Sequence, residues 1–230
     1  MIKAILFDFN GILIDDEPLQ MKAYQEVLKD EDIELTEKDY YDSLGTDDVA
    51  FVREAYKRAN TELKEEILQR VLERKMKLHR QMLAGDLPLF DGAVNFVKQA
   101  QHHFTLGIVS MARNEDIIDV LSRAGILDAF SVIVSAEEVS HHKPDPECYN
   151  LGFREIDELH RVSGAFPLVR EEVLVIEDAP PGVVAAKAAG MWVLGVTNTV
   201  TSDELRQAGA DSVTKTLADW APETVELVFR

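Results

Sequence analysis

The sequence predicts an α/β fold, in which helices cover both faces of a parallel sheet and a block of helices interrupts the chain after the first strand. Short, continuously apolar segments alternate with helical sequence in the second half of the chain. Such segments are typical of strands buried on both faces of a parallel sheet. A similar segment, residues 2–7, opens the chain, and a long stretch without a strand pattern separates it from the others.

The stretch without a strand pattern, residues 17–83, is rich in Glu, Lys, Leu and Gln and carries apolar residues at helical spacing. Three or four helices fit its length. Helix starts are predicted at Thr36 and Thr61, and Gly45 is a natural break between helices. Gly and Pro recur over residues 85–92, which indicates that the chain returns there to another layer.

The later apolar segments are predicted to be strands joined by right-handed crossovers. They are residues 105–109, 131–134, 173–176 and 192–196. A helix is predicted to begin near Pro146, and we interpret residues 153–170 as a lengthened surface connection. The predicted domains are therefore a core, residues 1–15 and 88–230, and a helical domain, residues 16–87.

Composition excludes several classes of partner. The 230 residues include 24 basic and 42 acidic side chains, for a net charge of −18, and 46% of them are hydrophobic. The chain can bury a full core, whereas nucleic acid and anionic membranes would meet like charge over most of its surface. We therefore predict no nucleic-acid or membrane partner, and a monomer or weak homo-oligomer.

The expected compartment is the cytoplasm. The chain shows no signal region and no apolar segment of membrane-spanning length. Cys148 is the single cysteine, which excludes an internal disulfide and fits a reducing environment. We interpret it as a packed helix residue.

Polar residues follow several predicted strands, where ligands collect in open parallel sheets. Asp8 follows the first strand, Ser110 the second and Glu177-Asp178 the fourth, and Lys143 lies in a loop after the third. Taken singly, Ser110 could cap the helix near Asn114, Lys143 could be an ordinary surface residue and the acidic pair could cap a helix over residues 182–190.

Together these residues outline a phosphoryl-transfer site. Asp8 and Asp178 offer the hard oxygen ligands that suit Mg²⁺. Ser110 can bind a phosphoryl oxygen, and Lys143 can neutralise its charge. The pairs His102-His103 and His141-His142 lack further ligands at metal spacing and are interpreted as solvated loop residues.

Four motifs in this order resemble the haloacid dehalogenase superfamily, in particular its β-phosphoglucomutase-like and phosphoglycolate phosphatase-like hydrolases. They are Phe-Asp-Phe-Asn-Gly-Ile-Leu-Ile-Asp at residues 7–15, Ile-Val-Ser at 108–110, Lys-Pro-Asp-Pro at 143–146 and Ile-Glu-Asp-Ala-Pro-Pro-Gly at 176–182. The resemblance covers nearly the whole chain. It implies a Rossmann-like doubly wound core and an inserted, mobile α-helical cap domain.

The resemblance also implies roles for the site residues. Asp8 would take up the phosphoryl group as an aspartyl-phosphate, a form of covalent catalysis, while Ser110 and Lys143 hold its oxygens. The implied Mg²⁺ site consists of Asp8, the backbone carbonyl of Asn10 and Asp178, with Glu177 close by. Further substrate-binding residues would be Met111, Arg113, Asn114, Gln20, Gly45 and Thr46.

Asn10 is the main departure from the family pattern, because phosphatases of the family carry there a second Asp that acts as acid and base. An amide cannot exchange that proton, so general acid/base help of ~10²–10⁴-fold should be absent. The expected enzyme is a slow, Mg²⁺-dependent phosphatase of a small phosphorylated metabolite. The alternative is a phosphate-ligand binding protein that has lost catalysis. Slow deamidation at Asn10-Gly11 could restore the missing aspartate, and a deliberate Asp-to-Asn change would account for the amide.

Other departures bear on related activities. The sugar-phosphate mutases carry a cap histidine and a cap arginine where this chain has Gln20 and the acidic pair Asp47-Asp48, so mutase activity is not expected. Dehalogenases of the superfamily work without metal, and the acidic pair Glu177-Asp178 favours phosphate chemistry instead. Phosphonate cleavage would need a cap lysine, for which Lys22 stays open.

Overall fold

The computed structural model describes residues 1–43 and 48–230. The chain divides into two compact units. The core unit comprises Met1–Asp15 and Pro88–Arg230, and the helical unit comprises Asp16–Leu87. None of the helices among the described residues is long and apolar enough to cross a membrane.

Four helices form the described part of the helical unit, as its helical periodicity predicts. They are α1 (Glu17–Lys29), α2 (Glu37–Tyr41), α3 (Asp48–Arg58) and α4 (Glu65–Leu83). Their apolar faces pack into one cluster that includes Tyr24, Phe51, Val52, Tyr56 and Leu68. This cluster gives the unit its own hydrophobic core.

One of the two predicted helix starts in this unit is confirmed and one is wrong. The Thr36 hydroxyl accepts the backbone N–H of Asp39 at 3.1 Å and caps α2. Thr61 does not begin α4, because its hydroxyl donates to the carbonyl of Ala59 in the turn after α3. The carbonyl of Lys64 accepts the first bonds of α4 instead.

The core unit contains a six-stranded parallel sheet with the strand order β3-β2-β1-β4-β5-β6. The strands are β1 (Ala4–Phe7), β2 (Thr105–Val109), β3 (Phe130–Val134), β4 (Val173–Glu177), β5 (Trp192–Val196) and β6 (Ser212–Thr214). This is the order of a Rossmann-like doubly wound sheet, so the predicted fold class is confirmed. Every residue of β1 and β4 is buried, which requires cover on both faces.

Six helices accompany the strands among the described residues of the core unit, and the last of them follows β6 near the end of the chain. They are α5 (Ala93–Ala100), α6 (Asn114–Arg123), α7 (Glu147–Val162), α8 (Pro180–Ala188), α9 (Ser202–Ala208) and α10 (Pro222–Val228). The start of α7 directly after Pro146 is as predicted, and Cys148 is buried in this helix. α8 begins two residues earlier than predicted, because Pro180 suits the first position of a helix.

Two parts of the core differ from the sequence-based expectation. The surface connection predicted from residue 153 onwards is helical as far as Val162. Asp157 explains the continuation, because its carboxylate accepts the N–H of Leu168 at 2.8 Å and ties the following loop back onto α7. β6 was not predicted, since its three residues are half-buried and carry no apolar run.

Candidate active site

The carboxyl ends of the central strands bring the candidate residues together. Phe7 of β1 pairs with Ile108 of β2 on one side and with Ile176 of β4 on the other. The residues that follow these positions therefore lie side by side, and the N–H of Asp8 donates to the carbonyl of Ile176 at 3.0 Å. Rossmann-like sheets bind ligands at this edge, where the strand order reverses.

Lys143 lies at the centre of this edge. Its buried ammonium donates to Asp8 Oδ1 at 3.0 Å, to Glu177 Oε1 at 2.7 Å and to the carbonyl of Val109 at 3.1 Å. Burial acts to lower the pKa of Lys143, but the charges of Asp8 and Glu177 outweigh it and hold the pKa well above its usual value. Lys143 is therefore a permanent cation here and not a surface residue.

Three carboxylates share the charge of this lysine. Asp8, Glu177 and Asp178 each offer an oxygen within 4.8 Å of the others, and they are the one such group among the described residues. Burial raises the pKa of Asp8 to about 6 against the opposing effect of Lys143. Burial and the charge of Glu177 raise the pKa of Asp178 well above its ordinary range. Hard oxygens with excess negative charge fit a magnesium ion.

Gly11 lets the turn after β1 close onto Asp178. Its φ is +76°, and a Cβ there would lie 1.9 Å from Asp178 Oδ2. An L side chain at this position is therefore excluded both by backbone conformation and by space. Asn10, the residue before it, is half-buried in the same turn, and the Gly11 N–H donates to the carbonyl of Ile14 at 2.9 Å.

Two residues at the site were missed in the sequence. Asn198 Nδ2 donates to the carbonyl of Gly11 at 2.6 Å, and the Thr199 hydroxyl donates to Asp178 Oδ2. Both follow the carboxyl end of β5. Because ligands collect at strand ends, the position of both residues could have indicated a role in the site. Asn and Thr are common in loops, however, and neither residue type indicates such a role by itself.

Ser110 is buried at the end of β2, and its hydroxyl oxygen accepts the N–H of Ala112 at 3.0 Å. The alternative that Ser110 caps the next helix is wrong, because the residue before α6 is Arg113. Arg113 forms ion pairs with Glu115 at 2.9 Å and Glu137 at 3.5 Å.

The neighbours of Arg113 are held by the core unit. The Asn114 N–H donates to Glu137 at 3.2 Å, and Met111 packs against the hydrophobic core. Ser110 is therefore next to Val109, whose carbonyl accepts a hydrogen bond from Lys143. Arg113 and Asn114 instead bind the carboxylate of Glu137.

The predicted cap residues belong to the helical unit. Gln20 lies on α1, where its amide donates to Asp16 at 2.9 Å, and Lys22 is exposed on the same helix. Asp48 pairs at 3.1 Å with Lys75, which offsets the charge that was expected to repel a second phosphate. Gly45, Thr46 and Asp47 lie outside the described residues.

The four histidines interpreted as solvated loop residues, His102, His103, His141 and His142, are exposed. His141 contacts Glu147 at 2.8 Å, where the same carboxylate also accepts two backbone N–H groups and organises the loop before α7. Their interpretation as solvated loop residues is confirmed.

Metal-free protein is expected to lose stability through Asp8 as the pH rises from about 4 to about 6. The pKa of Asp8 is raised from 3.8 to about 6 in the folded protein, so in this window the folded state holds more protons than the unfolded chain. The free energy of unfolding then falls with rising pH. Melting temperatures of EDTA-treated protein and of Asp8→Asn, measured across this window, check the effect.

The difference between the two proteins isolates Asp8 from the other titrating groups. Asp8→Asn should gain on the unsubstituted protein as the pH rises, and the gain should level off above pH 6. Added Mg²⁺ should reduce the gap at pH 7, because it binds the ionised carboxylate. Parallel melting curves at all pH values would contradict the raised pKa.

A family model described as haloacid dehalogenase-like hydrolase matches residues 5–196. The phosphorylated carbohydrates phosphatase of Thermotoga maritima is 28% identical over 219 residues, which cover 93% of this chain and 94% of that protein. Hexitol phosphatase B of Escherichia coli is 27% identical over 197 residues, covering 83% and 81%. The solved β-phosphoglucomutase of Clostridium difficile shares the fold, with a TM-score of 0.81 at 21% identity over 100% of this chain and 97% of that one.

Proposed function

This chain belongs to the haloacid dehalogenase-like hydrolase family and is a phosphoric monoester hydrolase within it, and we propose that it is a slow, Mg²⁺-dependent phosphatase of a small phosphorylated sugar or polyol. The observation that carries the proposal is the contact of Asp8 with Lys143 beside two further carboxylates. A carboxylate nucleophile, a fixed cation and a metal-binding acid are the parts that phosphoryl transfer through an aspartate needs.

Asp8, Asp178 and the backbone carbonyl of Asn10 would hold the metal ion. Glu177 has a different part in the proposal, because its carboxylate already accepts four hydrogen bonds, two at each oxygen. A carboxylate has about four acceptor positions. Glu177 thus anchors Lys143 and contributes negative charge beside the metal. Bound Mg²⁺ would offset charge on the phosphoryl oxygens and help to position them.

In the first step, a carboxylate oxygen of Asp8 would bond to phosphorus while the substrate oxygen leaves with its electron pair. A pKa of about 6 leaves this carboxylate mostly ionised at neutral pH. Lys143 would bind one phosphoryl oxygen with the N–H group that donates to Asp8 Oδ1 in the free protein. Ser110 would bind another, because its oxygen accepts the Ala112 N–H and its hydroxyl proton remains to donate.

In the second step, water would attack the aspartyl-phosphate and release inorganic phosphate. Asn10 lies in the turn that follows Asp8, but its amide cannot take a proton from this water. Release of phosphate is therefore the slow step, even for substrates whose leaving group needs no acid.

The substrate class follows from the named relatives, which are phosphatases of phosphorylated carbohydrates and of hexitol phosphates. The helical unit would serve as the cap that selects among such substrates, with Gln20 on α1 among the groups able to bind hydroxyls. A strongly acidic protein needs a local cation for an anionic substrate, and Lys143 supplies it.

Phosphate release from a panel of sugar, hexitol and aryl monophosphates tests the proposal. Slow turnover is expected with Mg²⁺ and none with EDTA. Aryl phosphates serve as the general probe, because their leaving groups depart without a proton. If no compound releases phosphate above the protein-free control, the protein is not a phosphatase.

Asn10 favours one second candidate, a binding protein that holds phosphorylated ligands without hydrolysing them. Calorimetry with the same panel would then show Mg²⁺-dependent binding, and intact-mass measurement would show no phosphoryl group on the protein. Detection of an aspartyl-phosphate would decide against this candidate.

A further inference from the structure

We propose that Tyr149 is a positioning residue, which holds the Glu177 carboxylate so that Lys143 stays where it can bind a phosphoryl oxygen. Tyr149 is fully buried, and its hydroxyl donates to Glu177 Oε1 at 2.9 Å. Glu177 Oε1 is also the atom that binds Lys143. The inference rests on the proposed function, since it concerns the cation of the same site.

The start of α7 places Tyr149 against both partners. The helix begins at Glu147, four residues after Lys143, so the lysine loop and the tyrosine belong to one segment. The Lys143 ammonium lies 5.0 Å from the centroid of the Tyr149 ring. A cation at this distance from a ring face is attracted to it. Tyr149 thus contacts the lysine through its ring and the carboxylate through its hydroxyl.

The Glu177 carboxylate is restrained on every side. Oε2 accepts the backbone N–H groups of Asp178 at 3.0 Å and Ala179 at 3.2 Å. Gly182 of α8 lies so near that a Cβ at this position would be 1.6 Å from Oε1. Among the described residues, Lys143 and Tyr149 are the side-chain donors to Oε1. Without the tyrosine hydroxyl, Lys143 would be the one side chain that donates to this oxygen.

Loss of the hydroxyl should redirect Lys143. Its three N–H donors are shared among Asp8, Glu177 and the carbonyl of Val109. Without the tyrosine hydroxyl, Glu177 Oε1 would draw the ammonium toward itself and away from an incoming phosphoryl oxygen. A phenylalanine would fill nearly the same volume, so this substitution removes the hydrogen bond to Glu177 and little of the packing.

Tyr149→Phe tests this role, with Thr105→Val as the matched control. The control also removes one partly buried side-chain hydroxyl bond from the core unit, the 3.0 Å contact with His160, but at the start of β2, the end of that strand away from Ser110. Turnover of an aryl phosphate and calorimetric binding of inorganic phosphate, both with Mg²⁺, are measured together with melting temperatures.

Tyr149→Phe is expected to lower kcat/KM and phosphate affinity by about five- to tenfold, the size of a typical net hydrogen bond, while Thr105→Val changes neither. Values within twofold of the unsubstituted protein, or equal losses in both variants, would overturn the positioning role. If Tyr149→Phe loses phosphate affinity but neither the unsubstituted protein nor the variants turn over substrate, the positioning role of Tyr149 is supported and the phosphatase proposal is rejected. Absence of both turnover and phosphate binding in the unsubstituted protein would reject both.

Discussion

Asn10→Asp is expected to raise the steady-state release of phosphate by ~10²–10⁴-fold, the usual contribution of general acid/base catalysis. The substitution restores a carboxylate two residues after Asp8 and leaves the backbone carbonyl of residue 10 in place. The new side chain can protonate the leaving oxygen and then take a proton from the attacking water. Rates with an aryl phosphate and with a sugar phosphate at saturating Mg²⁺ measure the gain.

The gain should be larger for the sugar phosphate, whose alkoxide leaving group needs the proton in the first step as well. Asn95→Asp, on an exposed position of α5, adds the same charge and should change neither rate. Peptide mapping of the starting protein separates the effect from deamidation of Asn10. Equal rates for Asn10→Asp and the unsubstituted protein would show that the missing proton carrier is not what limits turnover.

Asp8→Ala is expected to abolish turnover. It should also abolish the initial burst of phenol release that the unsubstituted protein is expected to show with an aryl phosphate. In that protein, an aryl phosphate should release one equivalent of its phenol quickly and then continue slowly, because with this leaving group Asn10 impairs only the hydrolysis of the aspartyl-phosphate. Removing the Asp8 carboxylate removes both the nucleophile and one metal ligand. Stopped-flow absorbance of the phenol measures the burst, and intact mass detects the protein-bound phosphoryl group.

Asp15→Ala serves as the control for Asp8→Ala, because Asp15 is an exposed carboxylate of the same chain segment. It should retain the burst and the slow phase. Melting temperatures exclude unfolding as the cause of any loss, and metal-free Asp8→Ala should be no less stable than the unsubstituted protein at pH 7, since the burial penalty of the charged Asp8 is removed. A burst that survives in Asp8→Ala would show that the nucleophile is another residue.

The strands of the core could be predicted because each is a short apolar run between helical segments. β2 and β5 have the predicted bounds, whereas right-handed crossovers leave several strand orders open, and only the structure shows which one forms. Local pattern was insufficient where a distant contact decides the structure. Asp157 extends α7 by binding the loop that follows it, and β6 acquires its place by pairing with β5.

The candidate site was predicted in part. Asp8 and Glu177 follow from motifs at strand ends and Lys143 from a motif in a later loop, and the structure brings Lys143 into direct contact with both carboxylates. Tyr149 could not be found in this way, and Thr199 follows a strand end but is not a residue type that indicates a role there. A tyrosine inside a helix and a threonine in a loop are ordinary residues of core and surface, and only the packing of those segments against the carboxylates shows their hydrogen bonds.

The chemistry of this protein is therefore already present in the order of its residues. A carboxylate at residue 8, an amide at residue 10, a lysine at residue 143 and an acidic pair at residues 177 and 178 are set by the chain alone. These residues form a site only in the tertiary structure, where segments more than 100 residues apart meet at one edge of the sheet. Only there do the side chains come within hydrogen-bond distance, about 3 Å, and lose contact with water. Burial raises the pKa of Asp8, and the surrounding donors decide that Glu177 anchors Lys143.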